Sequence, residues 1–296
     1  MERVLFGDNQ FFGVNHSSDE KARAQTIRFQ EDDAIMAVLD VAIDEGINTF
    51  MCTTHDRIGE ICNRIRGNEK YKDFKLYPCM PYAHKYANAI TELGYLGTIK
   101  QFVPGNIFST FAKGGLAFMK KDFTELAKLM IDAEMKMFKG INTPVIWVQN
   151  VITDLLLGLG MTDFLVVFYN HIKEKYRAEP GFITMNLPLL LDTLEKAGIE
   201  NPTVCASINK IGFRMSGGIK KYEEVIGQKR CKLVAMQVLA AGAIPPKEAF
   251  EYVCSLNGVD SILFGASSRA NIHQSKSIID SCSVLKHGPT SKVNYY

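Results

Sequence analysis

Two stretches of this chain carry residue types suited to chemistry. The first is Thr53-Thr54-His55-Asp56-Arg57. A histidine titrates at about pH 6.5, so it can give or take a proton under neutral conditions, and a nearby carboxylate could orient it and raise its pKa. Adjacent residues need not face each other, so His171 and His16 are equally good partners for His55. Asp56 could instead cap the helix that follows. The second stretch is Gly265-Ala266-Ser267-Ser268-Arg269, directly after the apolar run of Asp260 to Phe264. Gly265 lets the backbone turn, and Ser267 or Ser268 can cap a helix running on through Ile272 and Ile279. Free backbone N–H groups, two hydroxyls and Arg269 would converge at that helix start, which suits a phosphate. An ordinary cap with a solvent-facing arginine fits the same residues.

Further polar candidates follow other apolar runs. Asp8, Asn9, Gln10, Asn15 and His16 come after the first, Tyr82 and His84 after the third, and Gln149 and Asn150 after the fourth. Asn170 and His171 come after a run at Phe164–Tyr169. Ser207, Asn209, Lys210 and Arg214 come later, followed by Gln237. Asp8, Asn9, Gln149, Asn150, Asn209 and Lys210 are expected to bind substrate. Lys210 also invites a Schiff-base role, against the plainer reading of a surface lysine. Asp8, His16, His55, Asp56, His84 and His171 could converge on a divalent metal, but no spaced ligand motif such as H-E-x-x-H supports that, and no metal is assigned. Cys52, Cys79 and Cys205 fall in or at the ends of apolar runs and read as buried thiols.

The elements that would position these groups alternate. Strands are expected at Val4–Gly7, Ile47–Cys52, Phe74–Cys79, Val145–Gln149, Phe164–Tyr169, Thr203–Ser207, Lys232–Gln237 and Asp260–Phe264. Helices are expected at 32–45, 57–66, 122–138, 152–159, 185–197, 219–226 and 246–255, and after Ser267 or Ser268. The strands are mostly continuous apolar runs, as when both faces are buried, and strands joined by helices give a parallel sheet. About eight such units predict one (β/α)8 barrel over residues 1–285 rather than an open doubly wound sheet. No G-x-G-x-x-G follows the first strand. Pro81 to Lys121 interrupts the rhythm. Its aromatics and glycines suggest a lid or a subunit contact, the latter compatible with a homo-oligomer. Residues 286–296 form a polar tail.

Composition narrows the class. The 296 residues are 47% hydrophobic with a net charge of +2, which favours a large core and argues against a nucleic-acid surface. Seven scattered cysteines with no C-x-x-C pair fit a reduced cytoplasm better than a disulfide framework. The start has no signal-peptide pattern, and no apolar run approaches the roughly 20 residues that span a bilayer. The expected partner is a small-molecule substrate, with no nucleic acid and no membrane.

The run from Glu31 through Asp40-Val41-Ala42-Ile43-Asp44-Glu45-Gly46-Ile47-Asn48-Thr49-Phe50, with Gly59-Glu60 beyond it, resembles the first helix and second strand of aldo-keto reductases. Leu239-Ala240-Ala241-Gly242 resembles that family's seventh-strand loop. Gly258-Val259-Asp260 with Gly265-Ala266-Ser267-Ser268 resembles its last strand and cofactor-phosphate turn. The resemblance implies a (β/α)8 barrel that uses NADPH, usually without a metal, with phosphate held by Gly265, Ser267, Ser268 and Arg269. The family's catalytic residues are not matched. Met51 stands at its aspartate and Asp56 at its tyrosine acid. Cys79, Met80 and Pro81 stand at its lysine, and Gln149 and Asn150 at its histidine. A local match of Phe168-Tyr169-Asn170-His171 would put His171 there instead.

Three functions follow. The main expectation is acid–base chemistry of lyase, isomerase or hydrolase type on a polar substrate, with or without a phosphate, with His55, Asp56 and His171 moving protons. The alternative is a divergent NADPH-dependent oxidoreductase with a different proton donor. The third is a catalytically silent barrel used for binding or assembly.

Overall fold

The computed structural model describes residues 1–14, 18–82 and 120–286. Among them, eight strands alternate with helices. The first half comprises β1 (Val4–Gly7), α1 (Asp19–Arg28), α2 (Asp32–Asp44), β2 (Thr49–Thr53), α3 (Asp56–Ile65), β3 (Lys75–Met80), α4 (Lys120–Met135) and β4 (Val145–Val148). The second comprises α5 (Asn150–Leu159), α6 (Asp163–His171), β5 (Glu179–Thr184), α7 (Leu187–Lys196), β6 (Thr203–Ser207), α8 (Gly218–Gly227), β7 (Lys232–Met236), α9 (Pro246–Ser255), β8 (Ser261–Phe264) and α10 (Arg269–Lys286). Every strand pair is parallel. β1 pairs with both β2 and β8, so the sheet closes on itself as the (β/α)8 barrel that the sequence predicts.

Closure explains why the strands look apolar throughout. Alternate residues point to two cores. Leu5, Met51, Tyr77, Cys79, Trp147, Ile183, Cys205 and Val234 fill the barrel interior. Phe6, Phe50, Leu76, Ile146, Phe182, Val204, Ala235 and Ile262 face outward, under the helices. No helix among the described residues is long and apolar enough to cross a membrane. The expected insertion lies mostly outside the described residues, as do His16, His84 and the tail from 287.

One strand differs from expectation. Phe164–Tyr169 is not a strand but part of α6, and the fifth strand is Glu179–Thr184. The run's β-like residues bury at helical spacing: Leu165, Phe168 and Ile172 are buried, and Asp163 sits in the first turn. The true strand hides behind Pro180 and Gly181, which normally argue against a strand interior. Gly181 is needed there, because a Cβ would stand 2.3 Å from the Trp147 ring. A short helix over Asp19–Arg28 also has no counterpart in the expected elements. It buries none of its residues, so it carries no apolar stripe to find.

Candidate functional site

In a barrel of parallel strands, side chains just beyond the strand C-termini share one mouth. Asp8 is the first residue after β1 and is 6% exposed. Its Oδ2 accepts from the Thr53 backbone N–H (2.7 Å) and from Thr53 Oγ1 (2.8 Å) at the end of β2. Burial pushes the Asp8 carboxyl above the ordinary aspartate range, although the two Thr53 bonds pull the other way. Cys52 and Cys79 are raised well above the thiol range by burial first and then by the Asp8 charge, which makes them inert structural thiols. Cys205 is likewise raised by burial.

His55 caps α3. Its Nδ1 accepts from the Arg57 backbone N–H at 3.1 Å, so the cap is the histidine rather than Asp56. The ring stacks on Phe12, with centroids 4.4 Å apart, and meets the edge of Tyr82 at 5.1 Å. Asp56 is the first residue of α3 and is exposed. Tyr82 follows β3. Its phenol is raised by burial and then by the Asp8 and Asp56 charges.

Gln149 donates from Nε2 to the Cys79 carbonyl (3.4 Å) at the ends of β3 and β4, and Asn150 opens α5. Ser207 donates to Gln237 Oε1 at 2.8 Å, joining β6 and β7. Gln237 holds a left-handed backbone (φ 53°), a strained conformation of the kind that clusters at functional sites. Gln10 is buried and donates from Nε2 to the Gly7 carbonyl at 2.8 Å, while Asn9 is exposed at the start of a single 3₁₀ turn.

The turn after β8 is a true helix start. Ser268 Oγ accepts from the Asn271 backbone N–H at 3.3 Å and so caps α10. Arg28 from the end of α1 reaches Ser267, donating through Nη2 to its carbonyl and through Nη1 to its hydroxyl. Arg269 turns aside, with its guanidinium on Asp44 (2.9 Å) and Glu45 (3.6 Å) at the end of α2. Sequence reasoning missed Arg28, and no local signal links it to a turn 239 residues away.

Three expected site residues are engaged in other contacts. His171 ends α6 and precedes β5 instead of following a strand. It is buried against Asp132 of α4, with Nε2 2.8 Å from Oδ1. Burial tends to raise the Asp132 carboxyl, but bonds from Lys175, Tyr176 and His171 outweigh it and hold the group low. His171 thus belongs to a partly buried polar network in the helix layer, and the strand reading that placed it at the mouth is corrected. Asn170 goes with it.

Asn209 is fully buried and spends its carboxamide on one residue: Oδ1 accepts from Phe213 N–H and Nδ2 donates to the Phe213 carbonyl, both at 2.8 Å. It staples the loop after β6. Lys210 is exposed and paired with Glu248 at 2.8 Å, so the desolvated lysine that Schiff-base chemistry needs is absent there. Lys210→Ala is expected to leave turnover unchanged and to shift stability by no more than about 0.5 kcal/mol, as for an exposed ion pair. Urea unfolding and steady-state kinetics check both.

Among the described residues no group of three metal-ligating side chains forms. The two described surface cavities, of about 630 and 420 Å³, lie against the helices and away from the strand ends.

No family model matches the chain, and no curated protein matches it. Solved structures do. A putative aldo-keto reductase from Pseudomonas aeruginosa superposes with a TM-score of 0.59 at 13% identity, covering 95% of this chain and 91% of that one. An aldo-keto reductase from Bacillus halodurans, in its holo form, gives 0.53 at 10%, covering 94% and 86%. One from Brucella melitensis gives 0.50 at 12%, covering 96% and 95%. This chain has the barrel fold of those proteins.

Proposed function

We propose that this barrel is a divergent NADPH-dependent oxidoreductase acting on a small carbonyl substrate. The observation that supports it most is the cationic turn after β8. The 18-residue helix α10 begins there with a serine cap, the Ser267 hydroxyl lies beside it, and Arg28 supplies a guanidinium to the same residue. Backbone N–H groups at a helix start, a hydroxyl and an arginine are donors suited to a phosphate. Gly265 keeps the turn close to the β1 loop. Ser267, Ser268 and Arg28 would hold the cofactor's phosphate, and the bound cofactor would supply hydride. The chain's own task is then to orient a carbonyl at the mouth, with Gln149, Ser207 and Gln237 as hydrogen-bonding groups, and to deliver one proton to its oxygen.

The likeness to aldo-keto reductases favours this reading over lyase, isomerase or hydrolase chemistry, which draws nothing from the fold. One of the three residues expected to move protons in that scheme, His171, lies away from the strand ends. The assembly reading rested on the segment between β3 and α4, whose residues 83–119 are outside those described.

Titration of the protein with NADPH, followed by nicotinamide fluorescence, tests the proposal. Micromolar binding is expected, and Arg28→Glu should weaken it by about tenfold or more, the scale of a lost hydrogen bond to a charged group. No binding by the wild type at millimolar NADPH would end this reading.

A further inference from the structure

We infer that the outer face of α5 forms a two-fold contact with a second copy of this chain. α5 is apolar on both sides. Ile152, Leu156 and Leu157 pack on the core, and Thr153 is fully buried. Val151, Leu155 and Leu159 stand in one row at four-residue spacing on the other side, with 53%, 54% and 62% of their surface exposed. A helix that is hydrophobic all round belongs in an interior. Here one of its sides faces water.

The exposed apolar side chains of this molecule are not scattered. Eight large hydrophobic residues are exposed among the described residues. Val151, Leu155, Leu159, Met161 just beyond α5 and Leu189 on the neighbouring helix α7 are five of them. An exposed leucine standing alone needs no explanation, but a cluster on one helix pair marks an interaction surface.

The chemistry and shape of the face fit the same helix of a second copy. The one charged side chain of α5, Asp154, turns its carboxylate inward. It accepts from Thr184 Oγ1 at 2.5 Å and from the Met185 backbone N–H at 3.0 Å. Two identical faces therefore meet without like charges between them. A helix that lies on a lipid surface carries Lys or Arg, and α5 has neither. The row is also symmetric about Leu155. With the helices antiparallel across a two-fold axis there, Val151 of one copy meets Leu159 of the other and Leu155 meets Leu155. An isologous contact requires that self-complementarity. Gly158 adds a hollow to the ridge. It is exposed on the same side, and a Cβ there would meet nothing within 4 Å. Glycine weakens a helix interior, but here it leaves room beside Leu155 for a leucine of the opposing helix. The rim carries both signs of charge. A cavity of about 420 Å³ next to Met161 is lined by Thr162, Asp163 and Lys196, so copies related by a two-fold axis can pair acid with base at the edge of the contact.

Sedimentation equilibrium of the full chain tests the contact. A monomer–dimer equilibrium at micromolar concentration is expected. Leu155→Glu would bring two like charges together at the axis and should weaken association about thirtyfold or more, the scale of a central interface residue. Gly158→Gln should weaken it about tenfold by overfilling the hollow. The unfolding temperature of that variant should not fall, because glutamine favours a helix over glycine. Ile27→Glu changes another exposed apolar residue, on α1, and should leave association unaltered. A wild-type chain that stays monomeric to about 1 mM overturns the inference, whether the face is then bare, covered by residues 83–119 or taken by a different protein. A dimer that persists in Leu155→Glu with native circular dichroism overturns it as well, since the copies then meet through another surface.

Discussion

Trp147→Ala is expected to destabilise the barrel by about 3–5 kcal/mol, the range for deleting a large, fully buried aromatic. Trp147 is completely buried in the barrel interior, where it packs with Tyr77, Cys79 and Cys205 beneath the mouth. Its ring occupies space that Gly181 leaves open on the next strand, in direct register with it. A Cβ at position 181 would lie 2.3, 2.5 and 2.7 Å from three ring atoms. Neither strand can retreat, because each is paired on both sides. Gly181→Ala should therefore cost about 3 kcal/mol through overpacking. The two changes act on one volume, so the double variant should be more stable than the sum of the single costs implies, by about 0.5–3 kcal/mol. Urea unfolding of the four proteins measures this coupling. Additive costs, or single costs below about 1 kcal/mol, would show that the ring does not fill that space.

The second large effect is expected at the β8 turn. Gly265→Ala would place a Cβ 2.2 Å from Gln10 Oε1. Gln10 is buried and held by its bond to the Gly7 carbonyl, so it cannot swing out without breaking that bond. The loss should be about 1–3 kcal/mol, from overpacking and one broken hydrogen bond. The consequence for function is larger than for stability. Gln10 packs against Gly265, so the loop that carries Asp8 and the turn that carries Ser267 meet at this point. NADPH affinity should fall by about tenfold or more, since shifted donors no longer meet a phosphate together. Isothermal titration with NADPH reads the change. An unaltered Kd in a folded Gly265→Ala protein would separate the turn from cofactor binding and count against the reductase reading.

Much of the frame was legible in the chain. β1 and β6 run over Val4–Gly7 and Thr203–Ser207, as the apolar runs predict, and α9 runs over Pro246–Ser255. The other strands apart from the fifth differ by a residue or two at their ends. The fifth failed because local rules pointed the wrong way twice. Phe164–Tyr169 has β-forming residues but helical burial, and Pro180-Gly181 looks like a break but is a strand shaped around Trp147. The site was legible in part. Asp8, His55, Tyr82 and Gln149 follow strands and Ser207 ends one, so they share one end of the barrel. Their roles were not legible. His55 is a cap, Asn209 a loop staple, Lys210 a surface ion pair and Arg269 an anchor for α2.

The sequence by itself determined that strands and helices alternate and where seven of the eight strands lie, because hydrophobic period and turn chemistry act over a few neighbouring residues. Only the tertiary structure decided that Asp8 is gripped by Thr53, 45 residues on, and that Arg28 rather than Arg269 reaches Ser267. Such contacts depend on ring closure and strand register. Whether a carboxyl keeps its proton depends on the water and charge that closure removes from around it, which no local pattern of residues records.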